Sequence, residues 1–470
     1  MNRLGTDQAP RRIAVVGTGI SGLAAAWLLS QRHKVTVYEK DDRIGGHTNT
    51  VTLDGPAGPV NVDTGFIVYN DRNYPNLVAL FDRLGVETRP TEMSFAASLD
   101  GGRFEYAGTG FSGLLARPVN ALRPRLWRLV GDLLRFYREA PKALCDPGAA
   151  DLTLGAYLTA NGYGEAFVRD HLLPMGAAIW STPAADMLDY PLAAFVRFCE
   201  NHGLLSLRDR PQWRTVVGGS RSYVERITAP FAGRIRLNAA VTAIYRGRQG
   251  VRIEDRQGGA RDYDQVVIAA HADQALSMLA DADPAERRLL GAFRYERNLA
   301  VLHSDPGLMP RSRRAWASWN FLSHGRGDEQ KVCVTYWMNR LQHLPDTLPL
   351  FVTLNPLERP AQGLIHRTFL YQHPVYDRDA IRAQGLLWNL QGTRRTWFCG
   401  SYFGHGFHED GLQAGLAVAE QLGGLERPWQ VAEPNGRIHC HPRAVAGQGT
   451  ARGPDLDQVT MPGLDQEQAA

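Results

Sequence analysis

The chain has 470 residues, of which 44% are hydrophobic and 21% charged, with a formal net charge of +4. This composition predicts an ordinary globular protein of about two to three domains, and the slight charge without concentrated basic runs excludes a nucleic-acid-binding footprint. Five scattered cysteines and an N-terminus without an apolar signal core favour a cytoplasmic protein with reduced thiols.

Residues 12–40 carry the most informative pattern of the chain. An apolar strand precedes Gly17, Gly19 and Gly22 in G-x-G-x-x-G spacing, and a helix and a second strand ending in Glu39 follow. The glycines allow a tight turn and a close approach of a diphosphate to the backbone, while the helix N-terminus attracts its negative charge. Glu39 is placed to accept hydrogen bonds from a ribose and to repel a 2′-phosphate. The order of these elements predicts a dinucleotide-binding unit without NADP.

The same glycine spacing recurs at Gly108, Gly110 and Gly113. It follows a short polar segment, and two prolines then interrupt any helix that would hold phosphates. We therefore predict a loop there, which leaves a single dinucleotide unit and argues against a reductase driven by NAD(P)H.

The remaining patterns predict an alternation of two kinds of structure along the chain. A short amphipathic helix is expected over 76–84 and a hairpin within 95–106. A mostly helical block follows over 112–210, and antiparallel strands over 293–355. The nucleotide domain then comes in three pieces with two insertions. The predicted parts are FAD-binding segments 11–95, 213–275 and 393–425, substrate-domain segments 96–212 (mostly helical) and 276–392 (antiparallel sheet), and an extension 426–470 with a disordered tail from about residue 445.

Residues 11–425 resemble the superfamily of FAD-dependent amine oxidases, protoporphyrinogen oxidases and carotenoid desaturases. Four motifs carry the resemblance: GTGISG with YEK, RIGGHTNT, VVGGSRSYV with VVIAAHADQAL, and FCGSYFGHGFHEDGLQAGLAVA. The resemblance implies an α/β fold with a doubly wound Rossmann-type FAD domain, similar to glutathione reductase, and an inserted α+β substrate domain containing an antiparallel sheet. It implies FAD as cofactor. The residues themselves offer no credible metal site, because His439, Cys440 and His441 stand without a partner pair of ligands.

The fingerprint and the resemblance together predict the cofactor contacts. The second motif would touch the diphosphate and flavin, Val241 the adenine, and the last motif would place a helix N-terminus beneath the flavin. The predicted FAD-binding residues are Gly17, Gly19, Ile20, Ser21, Gly22, Glu39, Lys40, Gly45, Gly46, His47, Thr48, Thr64, Gly65, Val241, Gly400, Ser401, Asp410, Gly411 and Leu412.

The substrate is less well specified than the cofactor. Amine oxidases commonly have arginine where this chain has His47 and an acidic residue where it has Ser401. They also commonly carry a lysine near flavin N5, and this chain has none in the strand expected to be equivalent, around Asn298 to His303. The closest resemblance, through GFHEDG, is to a bacterial branch linked to methylated and furan membrane fatty acids. The implied reaction is dehydrogenation of an apolar substrate by hydride transfer to flavin N5, on a methylated acyl chain of a phospholipid. An amine or amino-acid oxidase and a non-catalytic flavin-binding protein are the alternatives.

His408, and less strongly His405, are candidate bases because both would lie beside the flavin and an unperturbed imidazole has a pKa near about 6.5. Helix capping is the alternative role for both, and the first-turn acids Glu409 and Asp410 complement the helix dipole in either case.

Residues 122–138 predict a basic amphipathic helix. Leu126, Val130, Leu133, Leu134 and Tyr137 share one face, opposite several arginines. Such a helix suits the anionic inner surface of a membrane, to which the protein would bind peripherally. Packing on its own domain is the favoured alternative. The sequence does not specify the oligomeric state.

Overall fold

The computed structural model describes residues 9–145, 152–180, 186–206, 209–325 and 331–441. The tail predicted to be disordered from about residue 445 lies outside these ranges.

The strands of the described ranges, in chain order, are β1 Arg12–Val16, β2 Lys34–Tyr38, β3 Thr50–Gly55, β4 Gly58–Asp63, β5 Tyr69–Asn70, β6 Thr88–Thr91, β7 Phe95–Leu99, β8 Phe104–Ala107, β9 Trp213–Val216, β10 Ile235–Arg236, β11 Val241–Arg246, β12 Val251–Asp255, β13 Ala260–Tyr263, β14 Gln265–Ile268, β15 Arg294–His303, β16 Trp319–His324, β17 Lys331–Trp337, β18 Phe351–Leu354, β19 Ile365–Val375 and β20 Thr396–Phe398.

The α-helices of the same ranges are α1 Ile20–Leu29, α2 Pro75–Leu84, α3 Phe111–Leu114, α4 Pro124–Ala143, α5 Leu154–Ala160, α6 Glu165–Phe167, α7 Leu173–Trp180, α8 Leu192–Asn201, α9 Arg221–Thr228, α10 Ala272–Met278, α11 Pro284–Gly291, α12 Met338–Gln342, α13 Arg378–Leu387 and α14 His408–Gly423.

A five-stranded parallel sheet forms the nucleotide-binding half of the fold. Its strand order is β10-β2-β1-β14-β20. β1 lies in the middle, and its residues Ile13 to Val15 are fully buried there. A parallel sheet covered on both faces requires such continuous apolar strands. The strands come from all three predicted FAD-binding segments, so residues far apart in sequence meet at the carboxyl edge of this sheet.

The second large sheet has seven strands in the order β19-β15-β18-β17-β16-β7-β8. All neighbours are antiparallel except β16 and β7, which pair in parallel. The hairpin predicted over 95–106 is confirmed, with Leu99 opposite Phe104. The sheet brings β7 and β8 beside strands that lie more than 200 residues later in the chain.

Two sequence expectations need correction. The segment around the second glycine pattern is not all loop, because Phe111–Leu114 forms one helical turn. In α4, the buried face consists of Leu126, Leu129, Phe136 and Ala140, whereas Leu134 is exposed. The predicted apolar face was therefore rotated, and the helix packs on its own domain through this narrower stripe.

The described residues from 9 to 440 form one compact unit. In this part of the chain, no helix combines the length and the apolar character that crossing a bilayer requires.

Candidate active site

The first glycine turn lies between β1 and α1. Gly17 has a φ of 105°, which favours glycine, and a Cβ on Gly22 would lie 2.0 Å from the Gly17 carbonyl oxygen. A Cβ on Gly19, by contrast, would meet no atom within 4 Å. Helix α1 has no side-chain cap at Gly19. The turn is therefore tightly packed on the protein side and open at Gly19, while the next two residues of the helix N-terminus, Ile20 and Ser21, are buried.

The second glycine turn packs directly against the first. A Cβ on Gly46 would lie 3.1 Å from the Gly19 Cα atom, and the Gly45 amide donates to the Thr18 hydroxyl oxygen at 3.2 Å. Arg43 holds the turn from the other side by donating to the Gly46 carbonyl at 2.7 Å. Two segments that the sequence predicted separately thus form one cradle.

The acid at the end of β2 is buried and fixed. The Glu39 carboxylate accepts from the Thr18 amide at 3.0 Å, from the Thr18 hydroxyl and from the Asp41 amide at 3.0 Å. Ala239, two residues before Val241, donates to the Glu39 carbonyl at 2.8 Å. Lys40 is exposed and pairs with Asp41 at 2.8 Å. The backbone just before Val241 is thus tied to Glu39, while the Lys40 side chain is exposed.

Helix α14 completes this end of the fold by packing on α1. A Cβ on Gly411 would lie 2.8 Å from the Ser21 hydroxyl oxygen, and one on Gly415 only 2.2 Å from the Ser21 carbonyl oxygen. The N-termini of both helices consequently lie together, beside the Ser401 backbone amide, with Leu412 fully buried. Gly400 has an extended backbone with φ of 170°.

The first-turn acids of α14 have structural partners. Glu409 accepts from the Asn76 and Leu77 amides at 3.1 and 3.0 Å, and so caps helix α2 rather than its own helix. Asp410 accepts from the Phe407 amide at 2.7 Å and pairs with Arg437 at 2.6 Å. These contacts show Asp410 anchored to the C-terminal extension.

His408, the first residue of α14, lies in a polar junction. Its Nε2 atom shares a hydrogen bond of 2.7 Å with the Tyr223 hydroxyl, which in turn lies 2.5 Å from the Thr48 hydroxyl. The ring stacks on Phe66 with centroids 3.8 Å apart, and burial lowers its pKa to about 3. This junction joins the second, third and fourth motifs, and it occupies the nitrogen that a base would use.

His405 lies in the loop before α14, where burial lowers its pKa. Phe407 in the same loop stacks on Phe198 at 5.1 Å and lies 5.7 Å from the His202 ring. Phe407 therefore packs against the side chains of α8 and the residue that follows it.

Thr64 and Gly65 support the second glycine turn from behind. The Thr64 hydroxyl lies 2.8 Å from the Tyr371 hydroxyl, and a Cβ on Gly65 would lie 2.1 Å from the His47 carbonyl oxygen.

Asp63, which precedes them, accepts from the Ser220 amide at 2.9 Å at the start of α9. Burial raises the pKa of Asp63 to about 6 despite these bonds.

A histidine cluster lies where the cradle meets the seven-stranded sheet. The His47 ring stacks on Tyr371 at 5.1 Å and lies 5.3 Å from the His373 ring. The Asn298 amide donates to His373 Nδ1 at 3.0 Å. His47 Nε2 is buried without a hydrogen-bond partner, and His271 contributes to the lowering of the His47 pKa.

Burial keeps these rings uncharged at neutral pH. It lowers the pKa of His47 and His271 to about 4 and that of His373 to about 3. Sequence reasoning missed His373, Tyr371 and Asn298 as site residues. The register between β15 and β19, in which Asn298 pairs with Tyr371, brings Asn298 to the two rings that lie against His47, and no local spacing signals that pairing.

Comparison with known proteins identifies the family. The sequence profile of the flavin containing amine oxidoreductases matches residues 20–301, more than half of the chain. The chain belongs to this family. A Mycobacterium tuberculosis protein, provisionally named flavin-containing monoamine oxidase AofH, is 29% identical over 337 residues, covering 69% of this chain and 70% of that protein.

Solved structures of the amine oxidoreductase fold superpose on most of the chain. Wild-type putrescine oxidase bound to putrescine aligns with a TM-score of 0.64 and 16% identity, covering 88% of this chain and 99% of that one. A fatty acid isomerase from P. acnes that produces CLA aligns with a TM-score of 0.57 and 17% identity, covering 89% and 98%. These likenesses confirm the predicted fold class.

Family membership establishes an FAD-dependent oxidoreductase. The residues present fit FAD. The open space at Gly19, the adjoining turn at Gly46 and the two helix N-termini form a cradle for a diphosphate, while the unpartnered His47 Nε2 offers a polar contact at its edge.

Proposed function

We propose that this oxidoreductase dehydrogenates an uncharged, apolar substrate, namely a methylated acyl chain of a membrane phospholipid. The observation that carries the proposal is the lack of an available carboxylate. Among the described residues, every buried carboxylate already has a hydrogen-bond or ion-pair partner, and Asp63, which follows the second glycine turn, caps α9. An ammonium group beside His47, His271 and His373 would meet neutral imidazoles, and the buried carboxylates are already engaged.

FAD would be held by the residues of the cradle. We propose that Gly17, Gly19 and Gly22 with the α1 N-terminus receive the diphosphate, that Glu39 and Val241 lie at the adenosine, and that Gly411 keeps α14 close enough for its N-terminus to face the flavin. Bound FAD supplies a two-electron acceptor to which a substrate C–H bond can deliver hydride.

The protein supplies the proton acceptor and a dry environment. We propose that His47 Nε2 accepts the second proton, because this atom is buried and unpartnered, while His373 is held by Asn298. Its pKa, lowered by burial, would be raised again by the negative diphosphate at the adjoining glycine turn. His408 remains a candidate base, but its bond to Tyr223 favours a role in holding the three motifs together.

The likeness to a fatty acid isomerase supports a fold able to take an acyl chain. The amine alternative keeps support from the names of the monoamine oxidase and putrescine oxidase relatives, so the test compares both substrate classes directly.

The test is anaerobic bleaching of the flavin absorbance of purified holoprotein. We expect vesicles of methyl-branched phospholipid to bleach the flavin and putrescine or cyclohexylamine to leave it oxidised. Bleaching by an amine, with methylated phospholipid inert, would overturn the proposal in favour of an amine oxidase.

A further inference from the structure

Large hydrophobic side chains are exposed in one region of the molecule. Of the nine that are most exposed among the described residues, five fall between residues 111 and 134. Leu122 is 84% exposed, Phe111 70% and Trp127 45%. This concentration in so short a segment is unusual, because exposed apolar residues on a monomer are normally scattered singly.

The segment is held together as one surface. The Asn120 side chain donates to the Glu105 carbonyl at 2.7 Å and to the Leu114 carbonyl at 3.4 Å, which joins α3 to the turn over 118–122. The Trp127 indole donates to the Ala121 carbonyl at 2.9 Å, which joins that turn to α4. Phe111, Val119, Leu122 and Trp127 therefore belong to one fixed unit, here called the docking surface.

Internal packing leaves these side chains without a role in the core. Helix α4 buries Leu126, Leu129 and Phe136 against its own domain. The four side chains of the docking surface lie on the outer side of α3, of the turn and of the start of α4.

The rim of the docking surface is basic. Between residues 101 and 131 the only acidic residue is Glu105, which is fully buried and accepts from the Arg311 and Ser312 amides. Asp100 nearby is paired with Arg125 at 2.7 Å. The rim arginines outside that pair are Arg103, Arg117, Arg123, Arg128, Arg311, Arg313 and Arg314.

We propose that the docking surface binds an anionic phospholipid bilayer. An apolar centre with tryptophan and leucine inserts at the headgroup boundary, while surrounding arginines meet lipid phosphates. The proposal deepens the proposed function by naming how the enzyme reaches a lipid. It moves the membrane contact predicted for 122–138 to residues 111–128 with the arginines at 311–314.

A second copy of the chain fits this surface poorly. In a two-fold contact the same patch faces itself, so the arginine rims of two copies would face each other and repel.

Flotation of purified full-length holoprotein tests the proposal. Vesicles of phosphatidylcholine alone are compared with vesicles of phosphatidylcholine and phosphatidylglycerol in equal parts. We expect flotation with the anionic vesicles only, weakened by added salt because the arginine–phosphate attraction is screened. The double variant Leu122→Ser/Trp127→Ser should lower partitioning by about tenfold or more, because two apolar side chains no longer leave water.

Leu370→Ser is the matched control, since Leu370 is 58% exposed on β19, at the edge of the seven-stranded sheet opposite β8. This variant should float like the wild type, and both variants should keep the flavin spectrum. A wild-type protein that stays at the bottom with anionic vesicles, or a double variant that still floats, would overturn the proposal. So would a wild-type dimer that the double variant converts to monomer without affecting flotation.

The flotation result is independent of turnover. A protein that floats but oxidises no lipid would keep its docking surface and lose its proposed substrate. A protein that oxidises detergent-dispersed lipid without floating would lose only the docking surface.

Discussion

Gly19 and Gly22 are three residues apart, yet the space around their Cα atoms differs completely. A Cβ on Gly19 meets nothing within 4 Å, whereas one on Gly22 would lie 2.0 Å from the Gly17 carbonyl oxygen. The same glycine motif thus serves two purposes, one toward the ligand and one toward the protein core.

This contrast predicts separate effects for two alanine variants. Gly19→Ala should keep the stability of the apoprotein but weaken FAD binding by about tenfold, because its methyl group enters the space left for the diphosphate. Gly22→Ala should lower the free energy of unfolding of the apoprotein by about 3 kcal/mol through overpacking. FAD titration and urea unfolding of the two apoproteins measure these effects. Equal FAD affinity in Gly19→Ala and wild type would contradict the assignment.

His47 provides the second prediction at this scale. If its Nε2 atom accepts the substrate proton, His47→Asn should slow anaerobic flavin reduction by about a hundredfold or more. The pH dependence of that rate should also be lost. His324→Asn, which changes an exposed histidine at the end of β16, is the control and should react like the wild type. If flavin reduction in His47→Asn were as fast as in the wild type, His47 would not be the base, and His408 would be the remaining candidate.

At the scale of elements, the C-terminal extension acts as a clamp on α14. Arg437 pairs with the fully buried Asp410 at 2.6 Å, donates to the Asn73 carbonyl at 3.2 Å and receives support from the Gln413 side chain, which accepts from its amide. Asp410 in turn accepts from the Phe407 amide. The extension therefore fixes the loop that precedes the helix N-terminus of the site.

Breaking this clamp should be costly. Arg437→Met leaves the buried Asp410 carboxylate unpaired, and we expect a loss of about 3–5 kcal/mol in the free energy of unfolding. The double variant Asp410→Asn/Arg437→Met should recover part of that loss. Arg382→Met, which removes an exposed ion pair with Asp379 at 3.9 Å, is the control, and urea unfolding is the measurement. Equal midpoints for Arg437→Met and Arg382→Met would contradict the clamp.

Elements defined by local sequence were predicted well. The strand Lys34–Tyr38 lies directly before Glu39, as predicted, and α1, the hairpin of β7 and β8 and helix α14 lie where their patterns indicate. The buried stripe of α4 was predicted less well, because Leu134 and Phe136 are both apolar and only the neighbouring helices decide which one is buried. Phe136 packs against Tyr163 and Phe167, which no local pattern contains.

The site likewise has one part that local sequence predicts and one part that depends on contacts between distant segments. The glycine cradle follows from short spacings and from the resemblance, whereas the histidine cluster depends on strand register. Asn298 contacts His373 because β15 pairs with β19, and these two residues are separated by 75 residues along the chain. Single spacings cannot indicate such contacts, so the sequence favoured His408, which lies within a conspicuous motif.

At the scale of the whole molecule, buried histidines make stability depend on pH. The pKa values of His47 and His271 are lowered to about 4 and those of His373 and His408 to about 3. In the unfolded chain these rings have a pKa of about 6.5. The unfolded state therefore binds more protons between about pH 6.5 and 4, and the free energy of unfolding falls as the pH falls.

Within this window, each histidine lowers the free energy of unfolding by up to about 1.4 kcal/mol for each pH unit of acidification. Asp63 acts in the opposite direction, because its pKa is raised to about 6. As the pH falls, Asp63 is protonated in the native state before it is protonated in the unfolded chain. This effect offsets that of only one of the four histidines. We expect a clearly lower urea midpoint for the apoprotein at pH 5 than at pH 7, with a smaller difference in His373→Asn. An unchanged midpoint between the two pH values would contradict the buried, neutral cluster.

The central claim is that the enzyme oxidises an acyl chain of a membrane phospholipid. Lipid mass spectrometry tests it most directly, by comparing cells that produce the wild type, cells that produce His47→Asn and cells that lack the protein. The account predicts methyl-branched acyl chains lighter by two hydrogen atoms only with the wild type. Identical lipid profiles in all three, with purified wild type oxidising amines, would contradict it.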